Sequence, residues 1–255
     1  SLEVSVPFGR MIRSGNEQLV PLPAQFLIQS SGYVHYLLVS SPKAVGLDWG
    51  VSHYFSTIDQ DGNFEQVENP RYLRNSKERL TSLQRDLALA KKGTRTQRKL
   101  KHQIAKLHQK IARQRLDFTH KETAKLVEVA ALIATEKLTV KNMTRSAKGT
   151  VEKNGNMVKQ KAGLNREILN TAPAMTLNLL RYKAEEASSE FVEVPTKQVK
   201  PSQTCPDCGA KKKSLADRWH SCECGCEKPR DVASAQVNLN WALGIQAGNQ
   251  PKKVA

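Results

Sequence analysis

The chain has 255 residues, with 40 Lys or Arg against 24 Asp or Glu, a formal charge of +16 and a sequence pI of about 9.7. That length can bury a real core, and the charge points to nucleic acid sooner than to an anionic membrane surface. No apolar run approaches the roughly 20 residues a membrane span needs, and no signal peptide is visible, so a cytoplasmic protein with no membrane partner is expected. The first residue is Ser1, not Met, which suggests a fragment or a processed product.

Residues 1–43 read as all-β. The runs at 24–29 (AQFLIQ) and 33–39 (YVHYLLV) are strand-like and meet at Ser30-Ser31-Gly32, a hairpin turn. A second hairpin begins after Lys43: residues 44–59 are rich in strand formers, and the chain turns at Gly62 and returns through 64–68. The spacing then becomes helical, at Leu80, Leu83 and Leu87 and again at Leu100, Ile104, Leu107 and Ile111. With Gly93-Thr94 between the two sets, a helical hairpin is expected over 71–121.

That hairpin holds 16 Lys or Arg and 3 Asp or Glu. Mixed charges would suit a solvated coiled-coil face. One sign so dominant makes an unpartnered hairpin repel itself, and a phosphate backbone explains it better. Aromatic residues are scarce there, which favours backbone tracking over base stacking. His102 and His108 lie on these helices and read as surface residues.

Residues 130–135 read as a buried strand ending at Glu136. The polar, basic stretch 144–163 reads as a mobile loop, and 164–188 as a helix broken or restarted at Pro173. Residues 191–195 form the next strand, and 230–243 an amphipathic helix. From residue 44 the order is β-β-β-α-β-α-β-α, that of an α/β, RNase H-like fold with a mixed sheet flanked by helices. The expected divisions are 1–43, 44–200, 201–228 and 229–255.

Asp48, Glu136 and Asp231 each border an apolar run: 44–50 (AVGLDWG), 131–138 (ALIATEKL) and 230–243 (RDVASAQVNLNWAL). Taken singly, each has an ordinary explanation. Asp48 would suit a turn, Glu136 could pair with Lys137, and Asp231 could cap a helix. Their order lifts them: an acid on a first strand, on a fourth strand and at the start of a last helix. Clustered carboxylates repel, a divalent cation relieves the repulsion, and Mg²⁺ favours such sparse carboxylate sites.

All five cysteines lie between the second and third acids. Cys205-x-x-Cys208 followed by Gly209 is half of a structural zinc site. Cys222-x-Cys224-Gly225 repeats the glycine after its second cysteine, which favours Cys222 and Cys224 as the other ligands, with Cys226 or His220 as substitutes. Four thiolates leave no open position, so the metal would be structural. There is no Gly-rich phosphate loop and no G-x-S-x-G.

The segments GLDWG, ENPRYLRNSKERL (68–80), QRKLKHQIAKLHQKIARQRLDFTHK (97–121), IATEKLTVKNM (133–143), KPSQTCPDCG (200–209) and RDVASAQVNLNWA (230–242) resemble the TnpB family. These are RNA-guided nucleases of bacterial insertion sequences, also described as OrfB transposases and similar to type V CRISPR effectors. The resemblance runs from about Lys43 to Ala242. It implies a RuvC-type, Mg²⁺-dependent endonuclease inside prokaryotic cells, with Asp48, Glu136 and Asp231 as its acids and a guide RNA and target DNA as partners. It also implies a zinc-containing insertion for the target strand, from Cys205 to Cys224. In guided systems base pairing reads sequence while the protein holds the backbone; that role falls to Arg95, Arg98, Lys99, Lys101, Lys106, Lys110 and Arg113. Residues 1–43 resemble the last strands of the family's wedge barrel; the helical recognition domain and the start of the barrel would precede Ser1. The second cysteine pair is compressed from C-x-x-C to C-x-C. Two other outcomes are a nuclease-dead, RNA-guided repressor, usually marked by a lost acid, and a decayed remnant, against which the intact acids and cysteines count.

Overall fold

The computed structural model describes residues 4–7, 33–36, 43–150, 152–211 and 217–245. The chain divides into two compact units, Ser1–Lys43 and Ala44–Ala255. In the first, β1 (Val4–Pro7) pairs antiparallel with β2 (Tyr33–Tyr36). The strand expected at 24–29 lies outside the described residues, and the described partner of Tyr33–Tyr36 is Val4–Pro7.

The second unit is built on a five-stranded mixed sheet. Its strands are β3 (Lys43–Trp49), β4 (His53–Asp59), β5 (Phe64–Glu68), β6 (Ala130–Glu136) and β7 (Glu190–Val194), in the order β5-β4-β3-β6-β7. β3 and β4 are antiparallel, as are β4 and β5, while β6 and β7 are parallel. Six consecutive buried residues in β3 place it at the centre of the sheet, covered on both faces. The run expected over 44–59 is split by a tight turn after Trp49. A Cβ on Gly50 would stand 2.8 Å from the His53 carbonyl oxygen, so the turn needs glycine there.

After β5 a short helix α1 (Tyr72–Asn75) leads into α2 (Lys77–Leu89) and α3 (Arg95–Val129). The helical hairpin is present, but α3 runs 35 residues and feeds directly into β6. Thr94 caps α3 by accepting from the Gln97 backbone N–H at 3.3 Å. α2 packs along α3, and the far end of α3 buries Leu126 and Val127 in the core beside Leu47 and Ile133. The Tyr54 hydroxyl, 2.8 Å from Thr119 Oγ1 and 2.6 Å from Thr176 Oγ1, ties β4 to α3 and to a later helix.

Past α4 (Val140–Met143) come α5 (Val158–Thr171) and α6 (Pro173–Glu186), with left-handed Ala172 between them and Pro173 opening the second. The break falls where the proline requires it. α5 starts earlier than its apolar spacing suggests. Lys161 Nζ donates to the Met143 carbonyl at 2.6 Å and Asn165 Nδ2 to that of Thr144 at 2.7 Å, so polar side chains anchor its first turns to the end of α4.

A short helix α7 (Thr196–Val199) and a two-stranded hairpin, β8 (Trp219–Ser221) and β9 (Glu227–Pro229), precede the last helix, α8 (Arg230–Ala242). α8 packs on β4, β6 and β7. It also lies hard against β3. A Cβ on Gly46 would collide with the Ala235 carbonyl oxygen and stand 2.8 Å from Leu239 Cβ. Asn238 Nδ2 donates to the Leu47 carbonyl at 2.9 Å and fixes the same approach. Among the described residues, no helix is long and apolar enough to cross a membrane.

Candidate functional site

The close approach at Gly46 brings the acids together. From it, Asp48 lies two residues along β3, about 7 Å at strand rise. Asp231 lies four residues back along α8 from Ala235, about 6 Å at helical rise. Glu136 is the last residue of β6, the strand beside β3. Asp48 is 7% exposed. Its carboxyl is held well above the ordinary carboxylate range, first by burial, then by repulsion from Glu136 and from Asp231, while Arg230 pulls it down. Burial raises the Glu136 carboxyl as well. Three acids far apart in sequence therefore share one field.

The trio is convergent but not closed. Among the described residues, sets of three or more ligating atoms all within 4.8 Å of one another occur only around the cysteines. Two neighbours of the acids have no counterpart in the sequence reading. Arg230 Nη2 is 3.3 Å from Asp231 Oδ1, and His53 Nδ1 is 4.0 Å from Asp231 Oδ2. The His53 ring also meets Gln66 Nε2 at 3.2 Å, and Gln66 Nε2 donates to Ser56 Oγ at 3.1 Å. Arg230 could have been suspected from its place beside Asp231. His53 could not, because the hairpin turn delivers it.

Cys205, Cys208, Cys222 and Cys224 form one compact set of thiols. Cys205 Sγ is 3.6 Å from Cys224 Sγ, and Cys208 Sγ is 3.5 Å from Cys222 Sγ. Bonds of about 2.3 Å from a tetrahedral zinc would set sulfurs about 3.8 Å apart, so these thiols fit such an ion with little movement. Two tight turns hold them: Gly209 N–H donates to the Cys205 carbonyl and Gly225 N–H to that of Cys222, each at 2.9 Å. Both glycines have positive φ, 75° and 88°. Cys226 is not a member of that set of four. It is buried, and its thiol is pushed far up by burial and by its hydrogen bond with Asp207. With Cys205 and His220 it forms a second close group.

Arg95, Arg98, Lys99, Lys101, Lys106, Lys110 and Arg113 all lie on α3 and all are exposed. The intervening Leu100, Ile104 and Leu107 are half-buried and Ile111 is buried. Among the described residues none of the seven cations is in an ion pair; Arg98 Nη2 reaches only the Gly93 carbonyl, at 3.3 Å. His102 and His108 are exposed, as expected.

Comparison with known proteins gives matches along most of this unit. Residues 38–147 match the family described as a probable transposase, OrfB of the IS605 type. Residues 174–238 match the Cas12f1-like TNB domain. The chain is 34% identical over 211 residues to the putative RNA-guided DNA endonuclease InsQ of Escherichia coli K12, covering 83% of this chain and 50% of that protein. It is 29% identical over 206 residues to a putative RNA-guided DNA endonuclease of Streptomyces pristinaespiralis, covering 80% of this chain and 46% of the relative. It thus spans about half the length of the curated relatives it matches. The cryo-EM structure of a Cas12f1–sgRNA–target DNA complex superposes with a TM-score of 0.54 at 17% identity, over 82% of this chain and 53% of that one. The likeness is one of fold.

Proposed function

Because the chain belongs to the OrfB (TnpB) family of insertion-sequence proteins, we propose that the complete protein is an RNA-guided DNA endonuclease that cuts at Asp48, Glu136 and Asp231. On this reading the five-stranded sheet and its helices are a RuvC-type, RNase H-like core inside a prokaryotic cell. Residues 1–43 belong to a β-barrel, and residues 201–228 to a zinc ribbon that handles the target strand. The observation that carries the proposal is Asp48: a buried carboxyl, repelled by two others, one residue before the end of the central strand. Such an arrangement costs stability, and a divalent cation compensates it.

Bound Mg²⁺ would supply an activated water and charge stabilisation for the leaving oxygen. The three carboxylates would hold it: Asp48 from β3, Glu136 from β6 and Asp231 from α8. Arg230 limits the local negative charge and restrains Asp231. The seven exposed cations of α3 would hold phosphates of the guide–target duplex, which leaves sequence reading to base pairing. Zinc on Cys205, Cys208, Cys222 and Cys224 would be structural, since a segment so poor in apolar residues draws its folding free energy from the metal.

Titration of Mn²⁺ followed by electron paramagnetic resonance tests the centre on the chain itself. Wild-type protein should bind Mn²⁺, and Asp48→Asn, Glu136→Gln and Asp231→Asn should each weaken it about tenfold or more. Equal affinity in all four proteins would overturn the assignment.

A further inference from the structure

Between α1–α2 and α5 lies a cleft of about 630 Å³ that takes no part in either metal site. Its cations are Arg74, Lys77 and Arg166, opposed by the single carboxylate of Glu167. Arg74, Lys77 and Arg166 are exposed, and among the described residues none is in an ion pair. Leu73 and Leu80 supply an apolar wall, and Gln84 a side-chain amide at an exposed position. At the bottom, Asn170 is buried and its Oδ1 accepts from Arg115 Nη2 at 2.9 Å, which leaves its NH₂ as the group to offer a ligand. Arg115 itself is half-buried, and its Nε has no hydrogen-bond partner among the described residues.

Donors and cations that converge beside an apolar wall match an anion joined to a flat apolar group. A nucleotide has that composition: phosphate for the arginines and lysine, a base for the leucines, and base edges for the two amides. A double helix, whose major groove alone is about 12 Å wide, does not enter a space of this size. We propose that this cleft is a single-strand nucleotide pocket, which takes an unpaired nucleotide or two and holds the phosphate on Arg74, Lys77 and Arg166. It differs from the α3 face, whose exposed cations line no part of this cleft and where any phosphate backbone suffices. The inference rests on the nucleic-acid reading above and adds a strand preference and a place for it.

The test compares binding of an oligothymidylate and of a duplex of equal length by the purified chain across a salt series. Two variants probe the cleft: the pair Arg74→Ala with Arg166→Ala, and Gln84→Glu, which sets a second carboxylate in the cleft without removing a cation. The arginine pair should flatten the single-strand salt dependence by up to about 0.7 unit of slope, the share of the one phosphate no longer neutralised, and leave the duplex slope unchanged. Gln84→Glu should lower single-strand affinity about tenfold, by like-charge repulsion of the bound phosphate, and again spare the duplex. Unchanged single-strand binding in both variants, or equal losses on both nucleic acids, would overturn the pocket while leaving the α3 face intact. A wild-type chain that binds neither nucleic acid would overturn both readings.

Discussion

Asp48 is where stability and activity conflict. In the metal-free chain its folded carboxyl holds a proton to higher pH than the unfolded one does, because of burial and then of Glu136 and Asp231. Its contribution to stability is therefore complete below the unfolded pKa and is lost as pH rises through the folded value. Asp48→Asn should raise the melting temperature in chelator at pH 8 and flatten the decline between pH 4 and pH 8, as thermal melts across that range would report. The same change should cut cleavage about 10³-fold or more, since it removes several kcal/mol of transition-state stabilisation. A variant that melts lower at pH 8 would contradict the repulsion. The three acids were legible because each borders an apolar run. His53 was not legible, because a histidine after a turn has no periodicity, and only the β3–β4 hairpin carries it to Asp231.

At the scale of elements, α8 is held to β3 by absence of a side chain. Gly46→Ala would drive a methyl into the Ala235 carbonyl, where backbone must move. It should cost about 1–3 kcal/mol by denaturant titration, as overpacking does, and reduce metal binding because Asp231 rides on the same helix. Loss of stability with undiminished metal affinity would break that link. The helix itself was readable from its spacing; its intimacy with Gly46 was not, because a glycine in a strand run signals close approach without naming the partner. The early start of α5 was hidden for another reason. Its first turns are held by Lys161 and Asn165, polar residues that read as loop until their acceptors at Met143 and Thr144 are known. The α3 face is simpler. Charge reversal of Lys99, Lys106 and Lys110 should flatten the salt dependence of duplex binding by about 0.9 unit for each phosphate no longer neutralised. Gel shifts over a salt series would measure it, and an unaltered slope would remove this face from the interface.

Over the whole second unit, the thiol cluster and α8 are mechanically joined. Asn240 Nδ2 donates to the Pro206 carbonyl at 2.8 Å and Lys228 Nζ to Gln236 Oε1 at 2.6 Å. Elemental analysis of protein purified without chelator should give about one zinc per chain. Stripping that zinc should raise hydrogen exchange first across residues 205–229 and then in α8; a folded chain with no zinc would refute the metal. The order of strands and helices from residue 44 was legible because each element carries its own period. Where the sequence left open whether Cys226 replaces Cys222 or Cys224, we keep Cys222 and Cys224, which form one close set with Cys205 and Cys208, while Cys226 is grouped with Cys205 and His220.

The account stands most directly on one assay. The complete protein, loaded with its guide RNA and Mg²⁺, is given matched target DNA, and cleavage and gel-shift binding are followed together for wild type, Asp48→Asn, Glu136→Gln and Asp231→Asn. Wild type should bind and cut, and each variant should bind with equal or higher affinity and fail to cut, since each removes a negative charge near the strand. Cleavage at the wild-type rate by any of the three would show that the acids brought together at the end of β3 are not the cutting centre.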